Sequence, residues 1–91
     1  MRSLLLRDVL GQTLRELRFE QGRTLRDVSV DARVSLGYLS EVERGQKEAS
    51  CELLASIATA LNVPLSQVLH TVSQKLVTTE QPQRPVVVKA A

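Results

Sequence analysis

The stretch Thr24–Gly45, TLRDVSVDARVSLGYLSEVERG, decides the fold of this 91-residue chain, because its pattern fits two short amphipathic helices joined by a tight turn. Thr24 is a favoured N-cap, and Asp27, three residues on, is a weaker form of the residue that completes a capping box. A helix from about Leu25 to Ala32 then sets Leu25, Val28 and Ala32 on one face. Arg33 and Val34 make the turn. Ser35 caps a second helix, in which Leu39 and Val42 share a face and Gly45 supplies the stop. Two helices joined in this way are a device for laying the second in a DNA groove.

The flanks extend the helical pattern. Upstream, Leu6, Leu10, Leu14, Leu17 and Phe19 supply the apolar side of a helix over Arg7 to Gln21, Arg15, Glu16, Arg18 and Glu20 keep the remainder wet, and Gly22 ends it. Downstream, Gln46 to Ala49 form a polar loop and Ser50 caps a fourth helix, Cys51 to Leu61. Its inward residues are Leu53, Leu54, Ile57, Ala58 and Leu61, and Asn62 stops it by accepting left-handed geometry. Pro64 suits the first turn of a fifth helix carrying Leu65, Val68, Leu69, Val72 and Leu76. That series is longer than a small domain needs for its own closure, so Val68, Val72 and Leu76 are assigned to a second subunit, with Leu65 or Leu69 completing the core.

From Thr78 to Pro85 the chain is polar and contains proline, which reads as a linker or mobile tail. Val86, Val87 and Val88 have strand propensity without a partner. The predicted architecture is therefore all-α, five helices with an extended last helix and a C-terminal tail. Residues 1–9 are an extension and the start of helix one, 10–69 the helix-turn-helix domain, 70–77 an extension of helix five for dimer contact, and 78–91 the tail.

Composition narrows the function classes. Aromatic residues are 2% against 43% hydrophobic, so the core is aliphatic, and a stacking platform for single-stranded nucleic acid is disfavoured. Twelve basic against ten acidic residues give a net charge of +2, so any electropositive surface comes from how the helices sort their charges. A single cysteine, Cys51, excludes an internal disulfide and a four-thiolate zinc site, and His70 is the sole histidine. No metal, cofactor or catalytic cluster is expected, and the protein is not read as an enzyme. The apolar run at Leu4–Leu6 is too short for a signal peptide's core and nothing approaches a membrane span, so a cytoplasmic protein is expected.

These residues resemble the Cro/C1-like helix-turn-helix family over about Leu10 to Leu69. The stretches GRTLRDVS, VSLGYLSEVERGQKEAS and ELLASIATALNVPLSQVL are also similar to those of actinobacterial activators of Clp protease genes. The resemblance implies a homodimeric, sequence-specific activator that reads inverted half-sites in double-stranded DNA. The positions that face base edges in the family fall on Leu36, Gly37 and Glu41. Leu36 suits a thymine methyl, Glu41 a cytosine amino group, and Gly37 a close backbone approach.

Thr24, Arg26, Ser35, Tyr38, Ser40, Arg44 and Lys47 surround the reading helix and are candidates for holding the DNA backbone. Competing readings are ring packing for Tyr38, ordinary surface charge for Arg26 and Lys47, and a surface pair with Arg44 or Lys47 for Glu41. The family also pairs an arginine late in helix one with the glutamate before the terminal glycine, here Arg18 and Glu43. Three residues depart from the common pattern: Leu25 stands for a phosphate-binding Gln, Arg33 for a turn Gly, and Ala49 for a Pro. The same likeness implies RNA polymerase as a partner, and recognition of Ala90 and Ala91 by Clp protease as a degradation signal. The alternative class is an antitoxin-like interaction protein that retains a helix-turn-helix domain.

Overall fold

In the computed structural model, which describes residues 5–80, the order is α1 (Leu6–Glu20), α2 (Leu25–Ala32), α3 (Leu36–Glu43), α4 (Cys51–Ala60) and α5 (Leu65–Glu80). Three of these helices start on side-chain caps read in the sequence. Thr24 Oγ1 accepts from Asp27 N at 3.0 Å, Ser35 Oγ from Tyr38 N at 3.0 Å, and Ser50 Oγ from Leu53 N at 3.1 Å. At Thr24 the capping box is complete, because Asp27 Oδ2 accepts from the Thr24 amide at 3.1 Å. Each such cap is worth about 1 kcal/mol.

The stops are equally local. Arg33 takes the left-handed conformation (φ 62°, ψ 41°) at the end of α2, and Asn62 does the same (φ 62°) after α4. At Arg33 a side chain thus occupies a conformation that glycine adopts more cheaply.

α1 packs on α5 and α3, α2 on α3 and α4, and α4 on α5. Leu14, Leu39, Ile57 and Val68 meet in the middle with no exposed surface, joined by Val28, Val42 and Leu61. Polar clasps tie the elements at the rim. Gln21 Nε2 donates to Leu61 O at 2.6 Å, and Arg23 reaches both the Ala60 carbonyl and Asp31, binding the α1–α2 turn to the end of α4. Lys75 Nζ donates to the buried Thr13 Oγ1 at 2.9 Å and to Glu16 at 2.8 Å, fastening α5 to α1.

Several details differ from the sequence-based expectation. Phe19 is 58% exposed, because it follows Leu10 by nine residues, two and a half helical turns, and so points the opposite way. Val9 is buried in its place, and Leu6, at the open end of α1, is exposed. Val68 and Val72 are 0% and 3% exposed within the single protomer. Their assignment to a subunit contact is corrected: they form the inner edge of α5, and a residue already sealed against its own chain has no surface left for a partner. Leu69 faces out, Leu65 packs on the core, and Leu76 is half-buried. α5 continues through Glu80, past the expected end at Val77. The expected linker beyond Glu80, Val86 to Val88, and the terminal Ala90 and Ala91 lie outside the described residues.

Candidate nucleic-acid interface

The reading helix α3 is eight residues long, too short to be stable through its own backbone bonds, so its orientation depends on what grips it. Leu39 and Val42 enter the core, while Glu43 is drawn inward by a charged partner. Arg18 Nε and Nη2 donate to the two Glu43 carboxylate oxygens at 2.8 and 2.9 Å, and Arg18 Nη1 donates to the Arg23 carbonyl at 3.1 Å. Only 11% of the Arg18 side chain and 6% of the Glu43 side chain meet solvent. The hydrogen bond to Glu43 pushes the Arg18 guanidinium further above its ordinary pKa, against the opposing effect of its burial.

A second grip is a close backbone approach that the sequence pattern marks only faintly. Gly11 of α1 sits against the end of α3: a Cβ there would lie 2.3 Å from the Val42 carbonyl oxygen and 2.7 Å from that of Glu43. The available signal was a glycine inside an otherwise regular helical pattern. Gly45 (φ 75°) makes a similar close approach to Asp8, and Arg7 Nε donates to its carbonyl at 2.9 Å. Nothing local in the sequence marks Arg7 or Arg23 for these roles.

With its inner face fixed, α3 presents the remainder outward. Ser35, Leu36 and Gly37 are exposed at its N-terminus, where free amides and the helix dipole favour an anion. A Cβ added at Gly37 would have no packing neighbour within 4 Å, so the fold does not require glycine there. Gly37 and Glu41 lie one turn apart, and Leu36, Ser40 and Arg44 form the adjacent stripe. Leu36 is 37% exposed. Glu41 is half-buried and 3.6 Å from Lys47, so the surface pair weighed for it is present. Arg44 donates to Ser40 Oγ at 2.6 Å and to Gln46 Oε1 at 3.3 Å. Tyr38 is half-buried against the core, and Arg26 and Lys47 are exposed, beside the cap Thr24 and beyond the end of α3 respectively.

Cys51 and His70 are exposed on different helices, and among the described residues no group of three or more His, Cys, Asp or Glu could hold a metal ion. No single helix among those residues is long and apolar enough to cross a membrane.

A capped, two-helix turn with an outward reading helix locked from behind defines a helix-turn-helix DNA-binding domain, and the helix-turn-helix domain family matches residues 9–70. The chain belongs to this family, in its Cro/C1-like branch, and is a sequence-specific DNA-binding regulator rather than an enzyme. Among known proteins it is 56% identical over 79 residues to the transcriptional regulator ClgR of Mycobacterium tuberculosis, covering 87% of this chain and 70% of that one. The crystal structure of the clp gene regulator ClgR from Corynebacterium glutamicum superposes with a TM-score of 0.80 at 45% identity, over 86% of this chain and 83% of the other. The restriction-modification controller C.AhdI from Aeromonas hydrophila gives a TM-score of 0.67 at 31% identity, over 68% and 94% of the two chains.

Proposed function

We propose that this protein is a homodimeric transcriptional activator that reads inverted half-sites at promoters of Clp protease and other proteolytic-stress genes. The observation that carries the reading is α3 itself, pinned from behind by Arg18–Glu43 while Leu36, Gly37 and Glu41 stand on its open side. The target genes are suggested by the likeness to ClgR from two actinobacteria. Leu36 and Glu41 discriminate bases. Thr24, Arg26, Ser35, Tyr38, Ser40, Arg44 and Lys47 hold the backbone. One such helix gives limited discrimination, and two related by a dyad with centres about 34–36 Å apart read one face of B-DNA. The subunit contact is placed on the outer side of α5, where Leu69 and Val77 are 47% and 61% exposed and Leu76 borders them. RNA polymerase is the second partner of an activator, and recognition of Ala90 and Ala91 by Clp protease would close a feedback loop.

Purified protein titrated onto a clp promoter duplex and an unrelated duplex of equal length, over a range of salt, tests the reading. Strong preference for the promoter and a steep fall in affinity with salt are expected. Equal, weak binding to both duplexes would instead favour the antitoxin-like alternative.

A further inference from the structure

We infer that α1 is part of the DNA-binding surface: Arg15 on α1 and Arg44 at the end of α3 flank a recess that receives one backbone phosphate of each half-site, and Phe19 positions the Arg15 guanidinium for it. The inference rests on the DNA-binding reading above and adds an element to the interface.

The recess has a volume of about 150 Å³ and is lined by Arg15, Arg18, Leu25, Ser40, Glu43 and Arg44, so three helices meet there. Its charges sort into two groups. Arg18 and Glu43 satisfy each other, and three of the guanidinium's N–H directions are already committed. They form a neutral, rigid floor. Arg15 and Arg44 are exposed, and neither is within salt-bridge distance of a carboxylate among the described residues. Arg44 bonds only neutral oxygens, Ser40 Oγ and Gln46 Oε1, which a phosphate oxygen can replace. The walls therefore carry two uncompensated positive charges around a space sized for a tetrahedral anion.

The position fits the duplex. Ser40 and Arg44 continue the stripe that begins at Leu36, so the recess lies along the same face as the base-reading residues, one to two turns further on. A DNA backbone that borders the groove entered by α3 passes beside this stripe.

Phe19 gives the second, independent observation. It is the one phenylalanine of the chain and it stands 58% exposed, where a polar residue would be expected. Arg15 and Arg18 lie over its ring, with guanidinium carbons 5.2 and 4.9 Å from the centroid. A long arginine resting on an aromatic face loses less freedom when it binds, so the ring accounts for its own exposure by ordering Arg15 beside the recess.

The test uses the full chain, fluorescence anisotropy on promoter and unrelated duplexes, and the variants Arg15→Gln, Arg15→Lys and Phe19→Leu, with circular dichroism to follow folding. Arg15→Gln is expected to weaken both duplexes by a similar factor of several-fold and to lower the log–log salt slope by about 1.8, from one contact in each of two protomers. Arg15→Lys keeps the slope and loses part of the affinity. Phe19→Leu loses about two- to threefold with the slope kept, since charge is retained and only ordering is lost.

A scan of single uncharged methylphosphonates along each half-site should find one position that weakens wild type more than Arg15→Gln, in which Arg44 alone still faces that phosphate. Wild-type affinity and slope in folded Arg15→Gln, or methylphosphonate losses equal in both proteins at every position, would overturn the inference and leave the DNA-binding reading standing. Absence of salt-dependent promoter binding by wild type would remove both.

Discussion

α3 and α5 each turn one side to the core and one to solvent, but they are held by different physics. α3 has eight residues, and it is fixed by the Ser35 cap, two apolar side chains, a buried ion pair and the close approach of Gly11. α5 has twice the length, and it is held mainly by an aliphatic edge, Val68 and Val72, with Lys75 as a clasp. Directional contacts can set an orientation that a short greasy stripe cannot. An aliphatic edge adds stability and leaves the opposite side free for a partner of the same kind.

The largest expected effect tests the inward side of α5. Val72→Asp places a carboxylate where 3% of the residue meets solvent, and the domain should lose about 4 kcal/mol or more, most of its stability. The loss appears in circular dichroism and urea unfolding. Leu69→Asp, on the outward side, should leave the fold intact and shift sedimentation toward the monomer. A folded, monomeric Val72→Asp would show that the two sides of the helix have been exchanged.

Next in size is the lock on α3. Arg18→Met leaves Glu43 buried and unpaired, and should cost about 3–5 kcal/mol in urea unfolding. The double variant Arg18→Met, Glu43→Leu should recover most of that loss, because an apolar pair of similar volume carries no desolvation penalty. If the double variant folds stably yet binds promoter DNA poorly, the pair serves to orient α3. If it binds as wild type does, apolar packing positions the helix equally well.

The contrast between these helices also explains what was legible in the sequence. Caps and stops are local, so Thr24, Ser35, Ser50 and Asn62 placed four helix ends to within a residue or so. The Arg18–Glu43 pair was reached through family resemblance, since 25 residues separate the partners and neither is unusual alone. Val68 and Val72 face their own core, which periodicity alone does not reveal, because it defines an apolar stripe without saying which chain covers it. Phe19 counts as apolar by type, but the helical phase turns it away from the core. Gly11, Arg7, Arg23 and Lys75 act through contacts distant in sequence, which single-sequence reading does not carry.

Two helical glycines give a smaller and sharper contrast. Gly11→Ala pushes a methyl to 2.3 Å from a backbone oxygen that cannot move without tilting α3, and should cost about 1–3 kcal/mol with weaker DNA binding. Gly37→Ala meets open space, and should stabilise the protein by up to about 1 kcal/mol through helix propensity. Any change in DNA affinity at Gly37 then reports on the duplex and not on the fold. Thermal melts and operator titrations of both variants separate these outcomes. Destabilisation by Gly37→Ala would mean that the reading helix is more crowded than its outer side indicates.

The smallest effect concerns the start of α2. The Asp27 carboxylate accepts from the Thr24 amide, and this hydrogen bond, aided by the Thr24 side chain, holds its pKa below the ordinary 3.8. A carboxyl depressed on folding contributes stability that is fully present above its unfolded value. That stability is lost as pH falls through the lower folded value. Asp27→Ala should therefore melt slightly below wild type near neutral pH, and the two melting curves should converge as the solution is acidified below 3.8. Because the group is exposed, added salt should shrink only the part of the difference that comes from charge. Melting temperatures recorded from pH 6 to pH 2, at low and high salt, check the sign. A gap that stays constant down to the acid end would assign the effect to helix propensity and remove the ionised capping box from the forces that set α2.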